Sequence, residues 1–147
     1  MARCSVSLSA MMALPTELFI DGGWRKTASG RCTSLINPAS EEPFAEVAAA
    51  EVADVNGAVE SAQRAWEGGW RDLAPGKREA VLHAVARKLR AHQEEIAQLE
   101  TLHIGKPVSD ARDEAGLGAR CFEYYAGAVT KFCGQTIPVA RGGFDFT

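Results

Sequence analysis

The residues able to do chemistry are few and scattered. Cys4, Cys32, Cys121 and Cys133 are the candidate nucleophiles or metal ligands. A thiolate, not a thiol, attacks or ligates, so a reactive cysteine needs a neighbour that favours its charged form. Cys32 follows Arg31, whose guanidinium would lower a thiol pKa. Cys121 and Cys133 fall on one predicted helix, about 120° apart around its axis, so they do not share a face. They read as small buried hydrophobes. No Cys-x-x-Cys or Cys-x-x-His spacing occurs, which argues against a structural zinc site. His83, His92 and His103 have no adjacent Ser or Cys to make a nucleophile–base pair in sequence and read as surface or capping residues. Tyr124 and Tyr125 precede Ala126-Gly127, and at least one is expected in the core. Neither glycine-rich phosphate loop is present. Gly116 and Gly118 lie inside a helical pattern.

The elements that would position these residues fall into two regimes. From Leu18 to Ala49 the chain reads as short strands. Leu18–Ile20 meets Asp21-Gly22, a hairpin dipeptide, and returns through Trp24 and Arg25. Ser29-Gly30 marks a turn, Cys32–Ile36 a third strand that Asn37-Pro38 stops, and Phe44–Ala49 a fourth. From Glu51 the period becomes helical, with Val52, Val55, Val59, Ala62 and Trp66 on one face until Gly68-Gly69. A second helix starts near Pro75 with Leu82, Val85 and Leu89 as its stripe. Around His92 it breaks or continues; Ile96, Leu99 and Leu102 follow, ended by Gly105 and Pro107. A fourth helix spans about Val108 to Cys133, with Phe122, Tyr125 and Val129 among its apolar residues and Gly134 as its cap. Thr136–Val139 and Phe144–Thr147 read as strand segments around an Arg141-Gly142-Gly143 turn.

Composition bounds the function. The chain has 147 residues, 46% of them hydrophobic, and a net charge of −3. That is globular rather than disordered, and it argues against binding nucleic acid through bulk phosphate attraction. No run approaches the roughly 18 apolar residues of a membrane helix. Residues 1–16 read as a loose tail or an early start, with Met11 and Met12 as alternative starts. Ser5, Ser7 and Ser9 interrupt any export signal.

Leu18-Phe19-Ile20-Asp21-Gly22-Gly23-Trp24, Ile36-Asn37-Pro38-Ala39, Phe44-Ala45-Glu46-Val47, Ala53-Asp54-Val55 with Ala58-Val59, Leu99-Glu100-Thr101-Leu102 with Gly105-Lys106-Pro107, and Tyr124-Tyr125-Ala126-Gly127 follow in order over residues 18–147. In that order and spacing the chain resembles the N-terminal portion of the NAD(P)-dependent aldehyde dehydrogenase superfamily. Gly142-Gly143-Phe144 also resembles the betaine-aldehyde and aminoaldehyde branch.

The resemblance implies an α/β fold class: an N-terminal fragment of an aldehyde dehydrogenase fold, short β-strands followed by about four helices, with an incomplete coenzyme-binding domain. Residues 17–147 would be a partial N-terminal domain, strands about 18–49 and helices about 51–133. The helical segment is expected beside a small separate β region, with helix faces left exposed. The full-length family member would oxidise a small-molecule aldehyde with NAD or NADP, by thiolate attack, hydride transfer and thioester hydrolysis. In that family the nucleophile, base, oxyanion asparagine and coenzyme strands lie beyond this stretch. No catalytic, cofactor-binding or metal residue is therefore carried over, and the segment alone is expected to be inactive without a cofactor. The family's cation site would take carbonyls at Leu35 and Ile36, but its aspartate position is His103, a poor ligand for a hard cation. The substrate-channel positions fall at Glu114 and Leu117, one turn apart. A single acid beside an apolar residue points to a less cationic substrate; a solvated carboxylate on a helix face is the other reading. The family implies a cytoplasmic homo-oligomer with neither nucleic acid nor membrane as partner. The second functional reading is a non-catalytic truncated dehydrogenase product acting as an interaction or assembly module.

Overall fold

The computed structural model describes residues 15–147; the readings placed on residues 1–14 lie outside the described residues. Strands β1 (Leu18–Ile20) and β2 (Gly23–Arg25) pair antiparallel across Asp21 and Gly22. Both turn residues have positive φ, 59° and 73°, the conformation that matches the twist of a tight hairpin. Phe19 faces Trp24 across the pair, rings 5.0 Å apart. β3 (Cys32–Asn37) pairs with β4 (Glu42–Ala48). β4 begins two residues before the expected Phe44 because Pro43 is accommodated opposite Ile36, where the register shifts. Proline lacks a donor and is tolerated at such a bulge. β5 (Thr136–Ile137) and β6 (Asp145–Phe146) form a third hairpin. Each hairpin is a separate two-stranded sheet.

Helix α1 (Val52–Ala65) is anchored by Asp54, whose carboxylate accepts from the Glu51 amide at 3.0 Å and the Ala28 amide at 3.1 Å. One side chain thus satisfies an orphan helix-start donor and ties down the loop before β3. A π-helical turn, Trp66–Trp70, ends the run as Gly69 takes φ 128°. Helix α2 (Pro75–Ala91) starts on proline, whose missing N–H costs nothing there. His92 breaks the run at φ −108°, ψ 15°, and α3 (Gln93–Ile104) follows. Helix α4 (Val108–Ala128) stops short of the expected Cys133. Val129 and Thr130 are β-branched and poor helix formers; they fall at a single 3₁₀ turn, Val129–Lys131, after which Phe132 is extended. The Lys131 ammonium donates to the Gly127 carbonyl, an acceptor left over at the helix end.

The described chain divides into two compact units. Residues 15–72 and 94–114 form one, and 73–93 with 115–147 the other. The first buries Phe44, Ala45, Ala97 and Ala111, and one polar residue, Thr27, whose hydroxyl donates to the Arg31 carbonyl at 3.3 Å. The second buries Ala86, Ala119 and Ala126. Every buried helical residue is alanine. The larger apolar residues stay outside or half outside: Val52, Val55 and Val59 on α1, Phe122 and Tyr125 on α4 are exposed. Leu82, Val85 and Leu89 on α2 are half-buried.

The turn after α3 depends on glycine. Gly105 has φ +74°, and a Cβ there would lie 2.9 Å from Cγ of Pro38. Gly105→Ala is expected to destabilise the chain by about 1–2 kcal/mol, read as a lower urea midpoint. Gly57→Ala, inside α1 with nothing within 4 Å of the new Cβ, is expected to stabilise by about 0.5–1 kcal/mol. Equal effects at both sites would contradict this account. The exposed apolar faces predict that the isolated chain binds a hydrophobic dye and self-associates. A monodisperse monomer that binds no dye in sedimentation and fluorescence experiments would contradict that.

Candidate functional site

The end of α3, the Gly105-Lys106-Pro107 turn and the start of α4 carry the densest arrangement of charged side chains in the first unit. The turn is built by backbone chemistry. The Gly105 amide donates to the Thr101 carbonyl at 2.9 Å, and the Pro107 carbonyl accepts from Asp110 and Ala111, both at 3.1 Å. Lys106 is held between them. Its ammonium donates to Glu100 Oε1 at 2.8 Å and also to Glu114 Oε2. The Lys106 side chain is 22% exposed and that of Glu114 is 53% exposed. The cation is thus held on the inner side and the carboxylate faces outward. The hydrogen bonds from Lys106 to Glu100, then to Glu114, raise the Lys106 pKa above its ordinary value.

Six positions before Glu100 on α3 and two before Glu114 on α4, Glu94 and Arg112 make a two-pronged contact, Arg112 Nε to Glu94 Oε2 at 2.7 Å and an Nη to Oε1 at 2.9 Å. The Gln98 amide donates to the same carboxylate at 3.2 Å. Those bonds, Arg112 first, hold the Glu94 carboxyl down at about 2. In the second unit Arg90 makes the equivalent fork to Glu123, at 2.9 and 2.8 Å, and depresses that carboxyl.

Glu114 and Leu117 lie three positions apart on α4. Glu114 is engaged by Lys106; Leu117 is 54% exposed. His103 sits at the edge of the buried Phe44 ring, centroids 6.4 Å apart. Tyr124 and Tyr125 meet edge to face at 5.3 Å. Both are exposed, so neither is the core residue the sequence led us to expect. Cys121 and Cys133 are exposed free thiols rather than small buried hydrophobes. Cys32 is disulfide-bonded, so Arg31 has no thiol there to activate. Among the described residues no three His, Cys, Asp or Glu side chains are grouped to hold a metal ion. A shallow cleft of about 690 Å³ opens at the start of α1, lined by Arg31, Glu51, Val52, Val55 and Asn56 among others. The Lys106 pairs were missed in sequence. Glu100 is six positions before Lys106 and Glu114 eight after it, so neither fits the three- or four-residue spacing searched along a helix. The available signal was Gly105, whose reversal of the chain makes those spacings close.

The sequence model of the aldehyde dehydrogenase family matches residues 24–147. The aminoacetaldehyde dehydrogenase of Pseudomonas aeruginosa is 37% identical over 135 residues, covering 90% of this chain and 27% of that protein. The phenylacetaldehyde dehydrogenase of Pseudomonas fluorescens is 36% identical over 131 residues, covering 88% of this chain and 26% of that protein. Among solved structures, PnpE in complex with nicotinamide adenine dinucleotide superposes with a TM-score of 0.85 at 34% identity, over 90% of this chain and 27% of that one. The chain therefore spans about a quarter of the length of the relatives it matches.

A low Glu94 pKa means its ion pair contributes fully above the ordinary carboxylate range and is lost as pH falls from about 4.5 towards 2. Arg112→Met is expected to return the Glu94 titration to the ordinary range, followed by NMR of the side-chain carboxyl. An unchanged low value would show that another group depresses it.

Proposed function

Because the chain belongs to the aldehyde dehydrogenase family, we propose that it supplies the first quarter of an oxidoreductase that converts aldehydes to carboxylic acids with NAD or NADP. The observation that carries this reading is the continuous match over residues 24–147, repeated in three dimensions at a TM-score of 0.85. The division of labour follows from what these residues can do. The described sheets are two-stranded hairpins, and Gly116 and Gly118 are inside α4. Neither arrangement is the strand, glycine loop and helix start that cradles a pyrophosphate. The residues present do not fit a nicotinamide dinucleotide, so no step through it is assigned to them.

What the chain contributes is substrate selection. Glu114 and Leu117 line the approach to the aldehyde site, an acid and an apolar side chain one turn apart on α4. The exposed faces of α1 and α4 would be covered within the larger enzyme and its homo-oligomer, working in the cytoplasm. Among the described residues no helix is long and apolar enough to cross a membrane.

The purified 147-residue chain is expected to reduce neither NAD nor NADP with a panel of aldehydes, followed at 340 nm in a roughly micromolar assay. Turnover that one cysteine substitution abolishes would overturn this division of labour. The same sequence read as a non-catalytic assembly module would be supported instead if the chain, mixed with a complete family enzyme, altered its subunit assembly.

A further inference from the structure

The acid of the proposed channel pair is already engaged. Lys106 donates to Glu114, and its second bond to Glu100, at 2.8 Å, fixes the ammonium from the other side. Gly105 in its left-handed turn and Pro107 at the start of α4 set the backbone position from which Lys106 reaches both carboxylates. Two carboxylates and one ammonium leave a single net negative charge, and Glu114 has a cation bonded to its Oε2 from the inner side. A carboxylate whose oxygen accepts from a fixed ammonium is a poor host for a second cation: that oxygen is occupied, and the nearby positive charge opposes the newcomer. Leu117, one turn on, offers an arriving substrate only apolar surface.

We infer that Lys106 is a positioning residue that occupies Glu114 and so biases the enzyme towards uncharged aldehydes. The inference rests on the reading of Glu114 and Leu117 as channel residues.

The test joins these 147 residues, intact, to the part of the Pseudomonas fluorescens phenylacetaldehyde dehydrogenase that follows its matched segment. KM and kcat are measured for betaine aldehyde, a permanent cation, and phenylacetaldehyde, which is neutral. Lys106→Met is expected to lower the betaine aldehyde KM roughly twofold to fivefold, the range of one exposed ion pair. kcat and the phenylacetaldehyde KM should stay put, and Lys106→Arg should behave as the parent. Glu114→Gln is expected to cancel the gain when added to the Lys106→Met background. The inference fails if both KM values move together, or if Glu114→Gln weakens cation binding equally in both backgrounds. Leu117→Asp tests the channel reading separately: no change in the ratio of the two KM values would remove that reading rather than the Lys106 pairing. The pairing itself is read in the 147-residue chain by the rate of Lys106 acetylation, measured by peptide mass spectrometry against exposed Lys77. Glu114→Gln should speed it roughly twofold to fivefold. An unchanged rate overturns the inference whatever the kinetics.

Discussion

The absence of a side chain at Gly105 is the constraint on which the charged turn of the first unit depends. With φ at +74° and Pro38 within 2.9 Å of where a Cβ would stand, the position disfavours any side chain on two independent grounds. The left-handed residue ends α3, and Pro107, which cannot continue a helix, restarts the chain as α4 with its own carbonyl accepting the first amide bonds. Between them Lys106 is placed with both its carboxylates in reach, and Arg112 meets Glu94 farther along the same two helices. A rigid reversal of the backbone thus comes first, and the ion pairs follow from it. Exposed pairs of this kind add little stability individually; their value here is that they fix where charges point.

Packing in both units follows a second rule. Helical positions that are buried are occupied by alanine, at Ala97 and Ala111 in one unit and Ala86, Ala119 and Ala126 in the other. Alanine allows close backbone approach and costs no rotamer entropy, but it removes little apolar area from water. The area that would drive folding of a free-standing domain sits instead on valines and aromatics that remain exposed, and α1 buries no residue at all. This distribution suits a segment spanning about a quarter of its relatives' length. The interior contacts settle local geometry, while the larger side chains remain exposed.

The same distinction explains what was legible in the sequence. The Asp21-Gly22 hairpin, the Pro75 start, the stop at Gly69 and the Gly105 reversal are written in single residues with a local backbone requirement, and all four stand in the structure. The end of α4 was misplaced because its apolar period runs past Ala128 while β-branched Val129 and Thr130 end the helix. Residue type places Cys121, Cys133 and at least one of Tyr124 and Tyr125 inward, and all four are exposed. Residue type is a one-way guide to burial, since much of any protein surface is apolar. The ion pairs of Lys106 were invisible because their spacing is set by a turn rather than by a helical period.

Glu114 shows the difference between reading a residue and reading its charge. In sequence it is one acid on a helix face, with a solvated carboxylate as the plain alternative. The structure supplies the missing quantity, which is what the carboxylate touches. A carboxylate free in solvent would attract any cation weakly, and one set in an apolar wall would attract it strongly. Here the carboxylate is held by a lysine that is itself held by Glu100, so one of its oxygens already has a cation as partner. The residue that engages this carboxylate lies eight places earlier in the chain, in a turn whose shape is set by a glycine.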